Sequence, residues 1–562
     1  MPNQHAPYHP IIYVRGFAGT QGEIEETVGD PYMGFNVGST KSRQVWDGTM
    51  RRFFFESPLV RLKDELVWRH TDKGSSRTDA RYDDVYVDGE DLTAANPENP
   101  TKPLRSDITL PYQSIAILRY YDDASTDFGD ETKPHPITQF AQGLSDLILR
   151  LRALVCRKGG KHPITRDKFE NDVDEKDFRV YLLAHSMGGL VCRAFLQNPV
   201  LGSPEARAAV DKVFTYATPH NGIDLRVVRN VPGWGALGEA KNFNRQEMAS
   251  YLGLTPTDNE VSELTNFPAE RMFNLVGTNP ADYLVLKGLS SWAVGEASDG
   301  LVRIDNATTF AIDPSTKKRV ESPRAFAHRS HSGQFGIVNS EEGYQNLTRF
   351  LFGSMRADGI LDVKDVSLPD EVQEAYEKNN DAVRASYRFE IVATIRGSQW
   401  QLHRRTVREN SAIQRTYDDL FPKGVDGKRA PSAHGSPHLF SVFLDPTKSL
   451  NSSAKSVAFA FDLAVLVPDY QIDGVLWLNK HFEGGYLYRE LILVEATPDT
   501  KAPSGWQITY GFQSETPNIA VKPAPAVLTQ DGTLTFSIPV ESPEGRRPGI
   551  KAELRIEMRP WK

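Results

Sequence analysis

The segment RVYLLAHSMGGLVCRAFLQ, residues 179–197, constrains the fold more than any other stretch of the chain. Its first six residues form an essentially continuous apolar run of strand length, and such runs are buried on both faces, as in a parallel sheet. The HSMGG that follows passes at once into a helical pattern, so the backbone must turn sharply between strand and helix. Ala184 and Gly188 stand two positions before and two after Ser186, and small residues there let neighbouring elements approach a tight, strained turn. The Ser186 hydroxyl then projects from the sheet edge at a helix N-terminus, where backbone N–H groups favour negative charge. An idle serine on an ordinary strand-to-helix turn satisfies the same pattern.

The first 350 residues repeat this alternation. Pro10–Val14, Ser114–Tyr120, Lys212–Pro219 and Arg271–Gly277 read as buried strands, and Ile137, Phe140, Leu144, Leu147, Ile148, Leu151, Leu154 and Val155 recur at helical spacing. Strands alternating with helices imply a parallel α/β sheet. Residues 70–107, inside an insertion at about 40–110, are dense in turn formers and read as a long surface excursion. Residues 222–270 carry Val231, Trp234, Leu237, Met248, Tyr251, Leu252 and Leu254, which suit a lid-like insertion or a permanently packed one. Beyond residue 353 the pattern changes. Residues 356–385 are charged and read as a linker that carries a short helix, and period-two runs then take over, at Tyr387–Ile395, Val457–Val467, Trp506–Phe512, Leu534–Val540 and Ala552–Met558. These predict an all-β, sandwich-like domain over 386–562 with 411–455 as its long loop, after a catalytic domain over 1–355.

With 65 Lys and Arg against 73 Asp and Glu, the net charge of −8 leaves no basic footprint for nucleic acid. Cys156 and Cys192 lie in helical patterns and read as reduced core thiols. No run approaches the roughly 18 apolar residues of a membrane span, and MPNQHAPYHPIIYVRGFAG has neither the basic start nor the apolar stretch of a signal peptide, which predicts a cytoplasmic protein or one exported without such a signal. Asp122, Asp123, Asp127 and Asp130 match no calcium loop and read as a solvated acidic segment. There is no zinc pattern, phosphate loop or dinucleotide fingerprint, so no cofactor or metal is expected.

IIYVRGFAG near the start, AHSMGG at 184–189, YATPHNG at 216–222, SDGLV at 298–302 and HSGQFGIVNSEEGY from 331 together resemble the α/β-hydrolases of the lipase type, close to the GPI inositol-deacylase-like group of bacterial hydrolases. The resemblance covers residues 10 to about 353. It implies a nucleophile, an acid and a base in the chain order Ser, Asp, His. Ser186 is the nucleophile. Asp299, before Gly300, is the acid, with Asp305 its rival, and DG is also a common turn. His331 is the base, with His328 the alternative, a strand-end residue or a donor at the substrate rim. The resemblance also implies an oxyanion hole from the Phe17 and Met187 amides. Arg15 replaces the histidine many lipases carry before the glycine, either paired with a carboxylate or meeting an anionic group on the substrate. His220 and His185 are expected to organise loop and core. The implied activity is hydrolysis of lipid acyl esters, as a lipase or phospholipase, which is compatible with an exported antibacterial effector. A membrane surface, and a protein partner of the C-terminal domain, are the further expected contacts. A soluble-substrate esterase or acyltransferase, and an inactive hydrolase-fold binding protein, are the alternatives.

Overall fold

The structure, a computed structural model, describes residues 7–16, 39–44, 50–55, 58–64, 66–71, 74–80, 82–120, 136–223, 243–255, 259–280, 297–332, 336–378, 383–395, 400–432, 435–444, 456–472 and 480–561. The chain divides into two units, Met1–Arg324 with Arg329–Leu347, and Ala325–His328 with Thr348–Lys562.

A seven-stranded sheet holds six strands of the first unit and ends on a strand at the division between the units, Arg324–Ala327. Its strands are β1 (Ile11–Val14), β2 (Val85–Val87), β3 (Ile115–Ile117), β4 (Val180–His185), β5 (Val210–Tyr216), β6 (Met272–Gly277) and β7 (Arg324–Ala327), in the spatial order β7-β6-β5-β4-β1-β3-β2. β1 pairs in parallel with both β3 and β4, and the parallel pairing continues from β4 to β5 and from β5 to β6. Strand order therefore runs outward in both directions from β1. Crevices at the carboxyl ends of strands open where the order reverses, so the ends of β1 and β4 are the expected place for a site. Helices flank the sheet. α1 (Pro58–Asp64) precedes α2 (Ile137–Val155), which buries a stripe of Ile137, Phe140, Leu144, Leu147, Ile148, Leu151 and Leu154, each apolar side chain contributing roughly 1.5–3 kcal/mol. α3 (Met187–Gln197) is buried on every side, as its apolar sequence requires. α4 (Pro204–Ala209) starts at Ser203, whose side chain accepts from the Glu205 amide. α5 (Arg245–Tyr251) and α6 (Glu341–Phe352) complete the set used below.

Several sequence expectations are corrected. Beyond Gly300, where LVRI at 301–304 has the residue types of a strand, the chain forms none: Asp299 draws the Leu301 and Val302 amides into a turn, and a single 3-10 turn follows at Ile304–Asn306. The 70–107 segment is not all surface: Val85–Val87 is a strand of the main sheet, and Arg150 of α2 donates to the Thr93 carbonyl at 2.8 Å. In the 222–270 insertion, the described part packs inward, with Met248, Ala249 and Leu252 fully buried, while Val231, Trp234 and Leu237 lie outside the described residues. The acidic segment 121–135 also lies outside them.

The second unit is a pair of antiparallel sheets. One has the order β12-β8-β19-β18-β17, formed by β8 (Met355–Ser367), β12 (His438–Leu444), β17 (Ala526–Leu528), β18 (Leu534–Glu541) and β19 (Gly549–Pro560). The other runs β10-β9-β13-β14-β15-β16, with β11 also on β9: β9 (Val383–Ile395), β10 (His403–Arg405), β11 (Ile413–Thr416), β13 (Val457–Ile472), β14 (Lys480–Pro498), β15 (Trp506–Phe512) and β16 (Lys522–Pro523). Their inner faces share one core, in which Phe440 of β12 stacks on Phe461 of β13 at 4.6 Å. The 356–385 segment, expected to be a linker carrying a short helix, holds that helix at Asp370–Lys378, α7, but residues 355–367 form a central strand instead, because Ala357, Leu361, Val363 and Val366 turn into the core and the charges of Arg356 and Asp358 cancel each other. The expected 411–455 loop likewise holds β11, the short helix Tyr417–Leu420 and the apolar strand β12.

Candidate active site

Ser186 sits between β4 and α3 with φ 52° and ψ −123°, a left-handed conformation that a non-glycine residue holds only under constraint. The constraints are visible. The Ser186 amide donates to the Tyr216 carbonyl at 2.9 Å, and the neighbours crowd in until only glycine fits: a Cβ on Gly16 would lie 2.8 Å from the Ser186 Cβ, and one on Gly188 would collide with the Val14 and Arg15 carbonyl oxygens. The small residues around the serine therefore let β1 and α3 close on the turn.

Two distant segments complete a hydrogen-bonded chain. His331 Nε2 lies 2.9 Å from Ser186 Oγ, and His331 Nδ1 lies 2.9 Å from Asp299 Oδ2. The other carboxylate oxygen, Oδ1, accepts from the Leu301 and Val302 amides at 3.0 and 2.7 Å, and the His331 amide donates to the Asp299 carbonyl at 2.9 Å. Asp299 is therefore fixed at both oxygens and from its backbone, and it accepts the Nδ1 proton, leaving Nε2 as an acceptor toward the serine. Serine, aspartate and histidine are all buried, at 5, 1 and 3 % exposure. Gly300, at φ 102°, permits the turn that presents those two amides.

Behind this chain lies His185, whose ring is 5.1 Å from that of His331. Its Nε2 donates to the His331 carbonyl at 2.9 Å, so Nε2 carries the proton. Burial, reinforced by His331, lowers its pKa to about 3. An uncharged His185 puts no second cation beside His331 when that ring takes up a proton.

The other sequence candidates fall elsewhere. His328 is exposed and faces Glu409 Oε2 at 3.6 Å, and Asp305 is exposed in the 3-10 turn. Met187 opens α3, where first-turn amides have no intrahelical acceptor. Phe17 lies outside the described residues. The Arg15 carbonyl accepts from the Tyr120 hydroxyl, while its Nη1 is buried and hydrogen-bonded to nothing among the described residues. His220 is fully buried and held well below its ordinary pKa by burial, with the Asn274 amide 3.2 Å from Nε2. Its carbonyl accepts from Arg193 Nη1 at 2.8 Å. Arg193, wholly buried in α3, also donates to the Val261 and Glu263 carbonyls and to Gln197, binding the loop after β5 to the helix behind the serine. Sequence reasoning missed Arg193, Leu301 and Val302. A cation inside an otherwise apolar helix was the available signal for the first, and the glycine after Asp299 for the other two.

The site is thus a strained serine at the carboxyl edge of a parallel α/β sheet, joined by hydrogen bonds to a histidine and a buried aspartate. No family model matches the chain, and no curated protein does. Among solved structures, a Bacillus licheniformis lipase, BlEst2 in propeptide form, matches over 95% of this chain and 97% of its own, at 12% identity and a TM-score of 0.26. A likeness at that score carries no argument.

Proposed function

We propose that the chain is a serine hydrolase of carboxylic esters, acting on lipid acyl esters. The observation that carries this reading is the unbroken chain from Ser186 Oγ through His331 to Asp299, each link 2.9 Å long. In the proposed reaction Ser186 Oγ attacks the ester carbonyl while His331 Nε2 removes its proton, and Asp299 stabilises the imidazolium formed. The Met187 amide, with that of Phe17 as its partner, receives the carbonyl oxygen as its charge grows. Collapse of the tetrahedral intermediate expels the alcohol, which takes the proton from His331. Water, deprotonated by the same ring, then cleaves the acyl-serine and releases the carboxylic acid and Ser186. The Arg15 Nη1, buried and without an acceptor among the described residues, suits an anionic group such as the phosphate of a phospholipid. The preference for lipid rests otherwise on the sequence resemblance to lipases.

The test is release of fatty acid from mixed phospholipid vesicles by the protein and by Ser186→Ala, with short-chain p-nitrophenyl esters alongside. Release that drops by about 10³-fold or more in the variant is expected. Equal release by both proteins would remove Ser186 from the chemistry, and turnover of the short esters alone would remove the lipid.

A further inference from the structure

The end of the sheet opposite the serine carries a concave feature. A cleft of about 570 Å³ is lined by Arg179, Arg207 and Arg271, by Asp211, and by an apolar wall that includes Leu196, Val210 and Phe267. Arg179 precedes β4, Val210 and Asp211 begin β5, and Arg271 precedes β6, so the cleft lies at the amino ends of strands whose carboxyl ends hold the site described above. Along six-residue β4 that separation is roughly 20 Å.

The charges of this cleft do not balance. Arg271 pairs with the Asp211 carboxylate, but among the described residues Arg179 and Arg207 have no carboxylate partner. Both are instead anchored by neutral acceptors. Arg179 Nη1 donates to the Lys176 and Phe178 carbonyls at 3.0 and 2.8 Å, and Arg207 donates to the Leu201, Gly202 and Pro199 carbonyls at 2.6 to 3.3 Å. Carbonyl anchoring fixes a guanidinium without cancelling its charge. Two pre-positioned cations are thereby left facing a half-enclosed cleft with an apolar wall, where the field is stronger than in bulk water.

We propose that this cleft binds a phosphate group carried on an organic ligand, with Arg179 and Arg207 holding the oxyanion and the wall of Leu196, Val210 and Phe267 taking the body. Two guanidiniums match a dianion, and their planar forks suit phosphate oxygens. The inference is independent of the chemistry assigned to Ser186.

The full chain is titrated calorimetrically with glycerol 3-phosphate and, separately, mixed with phosphatidylcholine vesicles with and without phosphatidic acid. Two variants accompany it: the pair Arg179→Gln with Arg207→Gln, and Ala208→Glu, which puts a carboxylate at an exposed, helix-compatible position of the lining. Melting temperatures verify that each folds. Saturable binding that weakens at least tenfold in both variants, and falls with added salt, is expected. Binding of glycerol 3-phosphate identifies a soluble phosphate ester as ligand, and binding to phosphatidate vesicles alone identifies a lipid headgroup. No saturable binding of either probe, or equal binding by the protein and both folded variants, would overturn the proposal.

Discussion

Among the described residues each unit buries one carboxylate deeply, and the two are handled in opposite ways. Asp299, in the α/β unit, faces one histidine and two backbone amides, and among the described residues no arginine or lysine pairs with it. Asp358, in the β unit, is surrounded: Arg356 at 2.8 Å, Arg559 at 3.0 Å, His438 at 3.3 Å and the Ser441 hydroxyl at 2.6 Å. Burial pushes the Asp358 carboxyl up, but Arg356, His438 and Arg559 outweigh it and hold it well below the usual carboxylate range. A carboxylate neutralised by arginines is a structural device, because its charge is already spent. One whose ionisable partner, among the described residues, is a single imidazole keeps its charge, as the proposed reaction requires when that ring becomes a cation. Burial alone does not mark a functional acid; the partners do.

The largest test of this contrast is Asp299→Asn. Loss of the acceptor at Oδ2 releases the His331 tautomer, and ester hydrolysis should fall by about 10⁴-fold with the melting temperature little changed. The companion substitution, Asp358→Asn, should do the reverse. It leaves Arg356 buried without its counter-charge, which costs about 3–5 kcal/mol and lowers the melting temperature, while turnover per folded molecule stays unchanged. Comparable activity losses in both variants would erase the distinction.

Gly188→Ala tests the crowding around the serine, since its Cβ would displace the Val14 and Arg15 carbonyls; both activity and melting temperature should fall, the activity more. A further test, with its effect confined to low pH, lies on the acid side of the stability curve. His185 titrates near 3 in the folded state and near 6.5 unfolded, so the unfolded chain binds more protons between these values. Stability should therefore decline as pH falls from about 6.5 toward 3, and His185→Gln should flatten that slope in denaturant titrations. Asp358 acts lower: its contribution is present above the unfolded carboxylate pKa and is lost only as pH falls below it.

The parts of the site that were legible in the sequence are those whose physics is local. A strained turn demands small residues within two positions of the serine, so AHSMGG carries its geometry on its face. The choice of His331 over His328 has no local signature; it is made by the bond from the His331 amide to the Asp299 carbonyl, between segments 32 residues apart. Strand β8 was misread because Arg356 and Asp358 occupy buried positions that should be apolar, and only their mutual neutralisation makes this tolerable. The arginine cleft was invisible for a related reason. Arg179, Arg207 and Arg271 are scattered in sequence and meet only because three parallel strands begin side by side.

The central claim is that Ser186 is an activated nucleophile, and the most direct measurement is covalent labelling with a fluorophosphonate, the adduct being located by peptide mass spectrometry. One adduct is expected, on the peptide containing Ser186, formed by the native protein and greatly slowed in folded His331→Ala and Asp299→Asn. An unlabelled Ser186 in the native protein, or labelling at the same rate in those variants, would contradict it.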